Sequence, residues 1–235
     1  VSGWKAKRFW QAAVAEPCAD GFTVRLDGRA VKTPAKAALV VPTLEMAQAI
    51  AAEWDAQTGE VRPDTMPVTR AANSAIDKIV PQRAEVVAIV AAYGGSDLLC
   101  YRATGPEPLI ARQAAGWDPL LGWAADVLGA ELRVTSGVIP VPQPEAAVAA
   151  LHDRVAAQSE FRLAALHDLV AISGSLVLGL AVTEGRLSAD EAWALSRIDE
   201  AWQIEQWGED EDAAAMEAHK RTAFHAASRF YALCG

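Results

Sequence analysis

The sequence predicts an α+β fold: a small β-rich N-terminal domain followed by a larger, mainly α-helical C-terminal domain. Three observations carry that prediction. Period-two alternation of apolar residues is confined to the stretch before Pro42. From about Thr69 onward apolar residues recur at helical spacing, punctuated by caps and by glycine or proline stops. Alanine fills 50 of the 235 positions, and it is the residue with the highest helix propensity.

The elements follow in order. Phe22, Val24 and Leu26 alternate with Thr23 and Arg25 and run into Asp27-Gly28, a pair suited to the two positive-φ positions of a type I′ hairpin turn. A return strand through Val31 to Thr33 and a third strand, Leu39–Val41, are expected next. Thr43 is placed to cap a helix whose face is Leu44, Ala47, Ala51 and Trp54. The stretch from Gly59 to Pro67 is irregular. Arg83 to Tyr93 is a helix burying Val86 and Val90, stopped by Gly94-Gly95, and Leu98 to Arg102 reads as a short strand. Asp118-Pro119 reads as a cap with proline at the first helical position. Pro140, Pro142 and Pro144 mark an extended connector before a helix carrying Val148, Leu151 and Val155. Ser188 and Glu191 form a capping box for a helix with Leu195, Ile198 and Trp202 on its buried side. Gly208 ends it, and a last helix runs to about Ala232. The expected domains are 1–75 and 76–235, with an alternative boundary near 140.

Composition narrows the function. Apolar residues make up 52% and charged residues 22%, which excludes a disordered or fibrous chain. The net charge of −9 disfavours nucleic acid and anionic lipid as partners. The longest apolar run, Val170 to Val182, spans 13 residues with two serines, short of the roughly 20 needed to cross a bilayer. It is expected to be a buried helix. Val1-Ser2-Gly3-Trp4-Lys5 lacks the apolar core of a signal peptide. Cys18, Cys100 and Cys234 are far apart and odd in number, which fits a reducing compartment.

The search for catalytic chemistry is thin. The sequence carries no phosphate-cradling GxxxxGK[ST], no GxGxxG and no GxSxG. The four histidines contain no i, i+4 pair, and Ser173-Gly174-Ser175 sits in an apolar helical run. No catalytic, cofactor-binding or metal-binding residue is expected.

One distribution stands apart. Ten acids lie between Asp190 and Glu217 against the single base Arg197, so this segment equals the net charge of the whole chain. Trp193, Trp202 and Trp207 lie in the same stretch, and aromatic residues amid charge mark an interaction surface. A structural reading competes. Acids after Gly208 would occupy the first turn of the last helix and be stabilised by its dipole.

Specific strings tip that balance. Lys7-Arg8-Phe9-Trp10, Leu26-Asp27-Gly28-Arg29 and Lys32-Thr33-Pro34 are followed by Ala52-Glu53-Trp54, Ala56-Gln57 and Ala75-Ile76-Asp77. Asp97 to Arg102, Trp117 to Leu121, Gly174 to Gly179, Asp199-Glu200, Trp202-Gln203 and Trp207 to Asp210 come after them. In this order, over nearly the entire chain, they resemble the assembly-chaperone family for the F1 part of ATP synthase, in its alpha-subunit-binding branch. The resemblance implies a non-enzymatic chaperone that holds unassembled alpha subunit until it pairs with beta. It further implies no cofactor, nucleic acid, membrane insertion or small-molecule substrate. The family's acidic motif maps onto Glu209, Asp210 and Glu211, and Trp207 and Asp212 complete the candidate partner-binding set. Eukaryotic relatives work in the mitochondrial matrix, whereas this chain resembles a bacterial, cytoplasmic member. The rival from another class is a small metal-dependent hydrolase using the acids at 209–212 with Asp199.

Overall fold

Residues 7–137 and 139–235 are described by the computed structural model, and the reading of Val1–Lys5 lies outside them. The α+β class holds, with a small antiparallel sheet near the N-terminus and helices through most of the remainder. The chain divides into two compact units. One holds the residues through Arg83 together with Glu160–Ala165 and Arg229–Gly235; the other holds Ala84–Ser159 and Leu166–Ser228.

In the first unit, β1 (Ala13–Cys18), β2 (Gly21–Leu26) and β3 (Arg29–Ala30) form a meander in the order β1-β2-β3. The turn between β2 and β3 is the expected one. Asp27 and Gly28 both have positive φ, at 47° and 81°, and the Asp27 carboxylate accepts from the backbone N–H groups of Gln11 and Ala12. Those bonds hold its pKa below the usual carboxyl value. β1 was not legible in the sequence, because Glu16 and Pro17 interrupt any alternation. As an edge strand it tolerates the proline. The third expected strand, Leu39–Val41, shrinks to a single bridge between Val41 and Phe22, because the Val40 N–H turns back to the Ala38 carbonyl at 3.1 Å and Pro42 has no N–H with which to carry the pairing further.

Thr43 caps α1 (Leu44–Asp55), accepting from Met46 N at 3.1 Å, and its hydroxyl donates to the Leu233 carbonyl at 2.5 Å. The buried face of α1 is Met46, Ala47, Ile50 and Ala51, while Leu44 is exposed. Glu53 accepts from the Val68 and Thr69 N–H groups and from the Thr69 hydroxyl, at 2.6–2.8 Å. It thereby satisfies the open N-terminus of α2 (Pro67–Ser74). A π-turn at Ala75–Ile79 carries Asp77, which accepts from the Thr33 hydroxyl and Ala35 N.

The second unit contains α3 (Arg83–Ala92) beyond its first residue, then β4 (Tyr101–Arg102) and α4 (Glu107–Leu128). β5 (Thr135–Ser136), parallel to β4, and α5 (Glu145–Ala156) follow. Leu98–Cys100 is a 3-10 turn, so the expected strand there keeps only its last two residues. Asp118 is no cap: Pro119 lies inside the 22-residue α4. The carbonyl that this proline leaves without its helical partner belongs to Ala115, on the exposed side of the helix and open to solvent. Asp118 instead pairs with the buried Arg102 at 2.7 Å.

The long apolar run is two helices. α6 (Glu160–Ser173) stops at Gly174, and Ser175 caps α7 (Leu176–Thr183). Six consecutive residues of α7, Leu176 to Ala181, are buried, as befits a helix apolar on every side. The capping box Ser188/Glu191 opens α8 (Ala189–Ser196) with both reciprocal bonds present. A break at Arg197 separates α8 from α9 (Ile198–Trp207), where the sequence predicted one helix. α10 (Glu211–Ala232) is last; its final turn, like the first turn of α6, belongs to the first unit. No described helix is long and apolar enough to cross a membrane.

We propose that the chain holds two separable cores dividing near residue 75, the N-terminal one completed by the returning segments 160–165 and 229–235. Limited proteolysis is then expected to cut first in the exposed 59–67 loop or within 137–144. A chain resistant at both places would reject that division.

Candidate functional site

Nine of the ten acids in the segment fall into two sets, with Glu217 standing apart on α10. Five of the ten are tied into the helices around them. Asp190 pairs with Arg221 at 2.8 Å and His225 at 3.3 Å, and the Arg221 bond holds its pKa down. Glu191 closes the capping box. Asp199 accepts from the Gln113 amide at 2.6 Å, and Glu200 meets Arg197 at 3.0 Å. Glu205 receives both guanidinium arms of Arg112, at 2.7 and 2.8 Å, and this fork keeps its pKa low.

Glu209 to Asp212 form the second set. Gly208, at φ 87°, reverses the chain after α9. Asp210 then caps α10, its carboxylate accepting from Ala213 N at 2.8 Å. Glu209, Glu211 and Asp212 are exposed and have no ion-pair partner among the described residues. The three tryptophans sort the same way. Trp193 is buried against Phe224. Trp202 is half-buried under the Arg112 guanidinium at 5.0 Å, not in the core as its place on the stripe implied. Trp207 is 79% exposed, with Ile204 and Met216 also open to solvent.

The predicted set Trp207, Glu209, Asp210, Glu211 and Asp212 therefore lies in one continuous stretch, from the end of α9 through the turn at Gly208 to the first turn of α10. Arg112–Glu205 fixes α9 to α4, and Asp190–Arg221 fixes α10 to α8. A large apolar ring held in water beside four carboxylates is suited to meeting a partner that offers apolar surface next to basic groups. Such an arrangement is poorly made for holding a metal. Among the described residues, no three histidine, cysteine, aspartate or glutamate side chains are gathered as a metal site. Burial pushes the Cys100 and Cys234 thiols up to about 12, so neither is a thiolate at neutral pH.

One buried group escaped the sequence reading of function. Asp97 is fully buried and accepts from Leu99 N at 3.1 Å, the Ser175 hydroxyl at 2.7 Å and Val177 N at 2.9 Å. Desolvation pushes its pKa up against those donors. Every bond it makes is internal, so it holds the start of α7.

Comparison with known proteins places these features. The sequence model of the ATP12 family, described as ATP12 chaperone protein, matches residues 7–125. The crystal structure of Atp12 from Paracoccus denitrificans is similar at a TM-score of 0.96 and 50% identity, covering 99% of this chain and all of that one. The Atu1473 protein from Agrobacterium tumefaciens reaches a TM-score of 0.92 at 42% identity, over 97% of this chain and 86% of that one. The mitochondrial protein atp12 of Schizosaccharomyces pombe is 25% identical over 222 residues, 88% of this chain and 75% of that protein.

Proposed function

Because this chain belongs to the ATP12 chaperone family, whose members serve ATP synthase assembly, we propose that its client is the unassembled alpha subunit of F1-ATPase. It holds that subunit against aggregation until beta arrives, working in the bacterial cytoplasm and without enzymatic activity. The observation that carries this reading is the α9–α10 turn, where Trp207 stands in solvent beside the unpaired Glu209, Glu211 and Asp212.

The physics of a holding chaperone fits that surface. An orphan subunit exposes apolar interface that would otherwise aggregate. Its partner must cover that interface and later let go, so binding should combine a small apolar anchor with charge that water and salt can screen. Trp207 is the anchor, and the carboxylates steer basic groups of the client towards it. The Arg112–Glu205 and Asp190–Arg221 pairs brace the helices on either side and so lower the cost of ordering the turn.

The test is a reconstitution with purified alpha and beta subunits. Tagged chain should retain alpha alone, and added beta should displace it. Retention of beta in place of alpha, or of neither, would reject the proposal.

A further inference from the structure

We propose that the first unit carries a second docking cleft, separate from the α9–α10 turn, which takes an acidic peptide segment of a protein partner anchored by an apolar side chain. The cleft is a hollow of about 350 Å³ on the β2–β3 side of that unit. Its aromatic lining is Phe9, Trp10 and Trp54, packed edge to face at 5.2 Å for each successive pair. Phe9 is 65% exposed, an unusual position for phenylalanine. It is held there because Arg8, next to it, donates to the carbonyls of Trp10, Gln11 and Gln57.

The rim is cationic. Lys7, Arg29 and Lys32 line the cleft, and none is within ion-pairing distance of a carboxylate among the described residues. The Arg29 guanidinium lies 6.0 Å from the Phe9 ring. On a chain with net charge −9, Lys7, Arg29 and Lys32 gather positive charge around one apolar hollow, with Asp27 the carboxylate within electrostatic reach of Arg29. The lining also holds two unused donors. The indole N–H groups of Trp10 and Trp54 are buried with no acceptor, and such groups are rare enough to require explanation.

These features select the occupant. An apolar side chain fills the hollow and flanking carboxylates meet the three cations, while the buried indoles sit behind the lining and report its occupation. A nucleic acid strand would satisfy the cations, but the rest of the chain repels it. A peptide suffers less from that repulsion because its charge is small.

The probe is a fluorescein-labelled peptide with adjacent phenylalanine and leucine between two glutamate pairs. We expect the intact chain to bind it with a dissociation constant of about 10–100 µM. Affinity should fall roughly tenfold or more for the peptide with lysines in place of glutamates, for R29E/K32E and at high salt. K7E/K32E is the second variant, should R29E disturb the β2–β3 turn. The indole N–H resonances of Trp10 and Trp54, assigned through W10F and W54F, should shift on titration. The E209Q/D210N/E211Q variant should bind the peptide normally, which keeps this result independent of the alpha-subunit reading. Equal affinity for both peptides, or unchanged binding by folded R29E/K32E and K7E/K32E, would overturn the proposal. So would tighter binding of a single-stranded oligonucleotide, or self-association lost in R29E/K32E, which would make a second copy the occupant.

Discussion

Replacing Glu209 by glutamine, Asp210 by asparagine and Glu211 by glutamine in one variant is expected to remove most suppression of alpha-subunit aggregation while leaving the fold nearly intact. The choice at position 210 separates the two roles of the cluster. Asp210 caps α10, and asparagine caps as well as aspartate, so helix initiation survives while charge is removed. Loss of the dipole interaction at the other positions costs about 0.3–1 kcal/mol each. At roughly 2–4 °C per kcal/mol for a chain of this size, melting should fall by only a few degrees. Lysine at the same positions sets like charge against a basic client and should weaken binding further. Thermal unfolding and aggregation suppression are measured side by side. Full suppression with a slightly lowered melting temperature would make the cluster a helix start and nothing more.

Asp97→Ala should be the most destabilising single substitution among the polar residues that join the helices of the second unit. It strands the Leu99 and Val177 N–H groups and the Ser175 hydroxyl, all buried. Buried donors without acceptors cost about 1–3 kcal/mol each, so a total near 3 kcal/mol or more is expected, or roughly 6–12 °C in melting temperature. Its pH dependence has a definite sign. The folded-state pKa is raised above 3.8, so the unfolded chain gives up this proton first. Asp97 therefore withdraws stability as pH rises from that value through the raised one. Asp97→Asn, which does not titrate, should flatten this part of the stability profile, as denaturant midpoints at several pH values would show. An Asp97→Ala variant melting within 2 °C of the parent, a difference of about 1 kcal/mol or less, would mean that water replaces the carboxylate.

What the sequence disclosed depended on whether the determinant was local. The type I′ turn at Asp27-Gly28, the Thr43 cap, the Ser188/Glu191 box and the stop at Gly208 each reside in two to four adjacent residues, and each is present as expected. β1 and the true extent of α4 are decided by distant partners. β1 exists because β2 pairs with it along its whole length. The helix runs through Pro119 because Trp117 and Leu120 are buried in the same core and Asp118 is taken up by Arg102.

Several strings that carried the family resemblance prove to be joints of the scaffold. Asp97 meets Ser175 across 78 positions, and Gln113 meets Asp199 across 86. Trp117 donates to the Leu195 carbonyl. None of those meetings has a signature along the chain. The acids at 190–217 show the reverse limit: their excess was obvious, but which five are engaged depends on Arg112, Gln113, Arg197, Arg221 and Ser188, only one of which opposes them in the local charge count.

The first unit is assembled from three stretches of chain, and the consequence concerns timing. Its hairpin and α1 leave the ribosome early, yet Thr43 is completed by Leu233, 190 positions later. Leu163 and Phe230, both fully buried, come from the two returning segments. At about 5–20 residues per second, translation delivers Leu163 roughly 6–24 s after Thr43 and Phe230 roughly 9–37 s after it, and until then that core is incomplete. Vectorial, domain-by-domain maturation is therefore closed to this part of the molecule, and its native pairing carries the slow kinetics of long-range contacts. A chaperone of assembly must itself spend its first seconds unassembled.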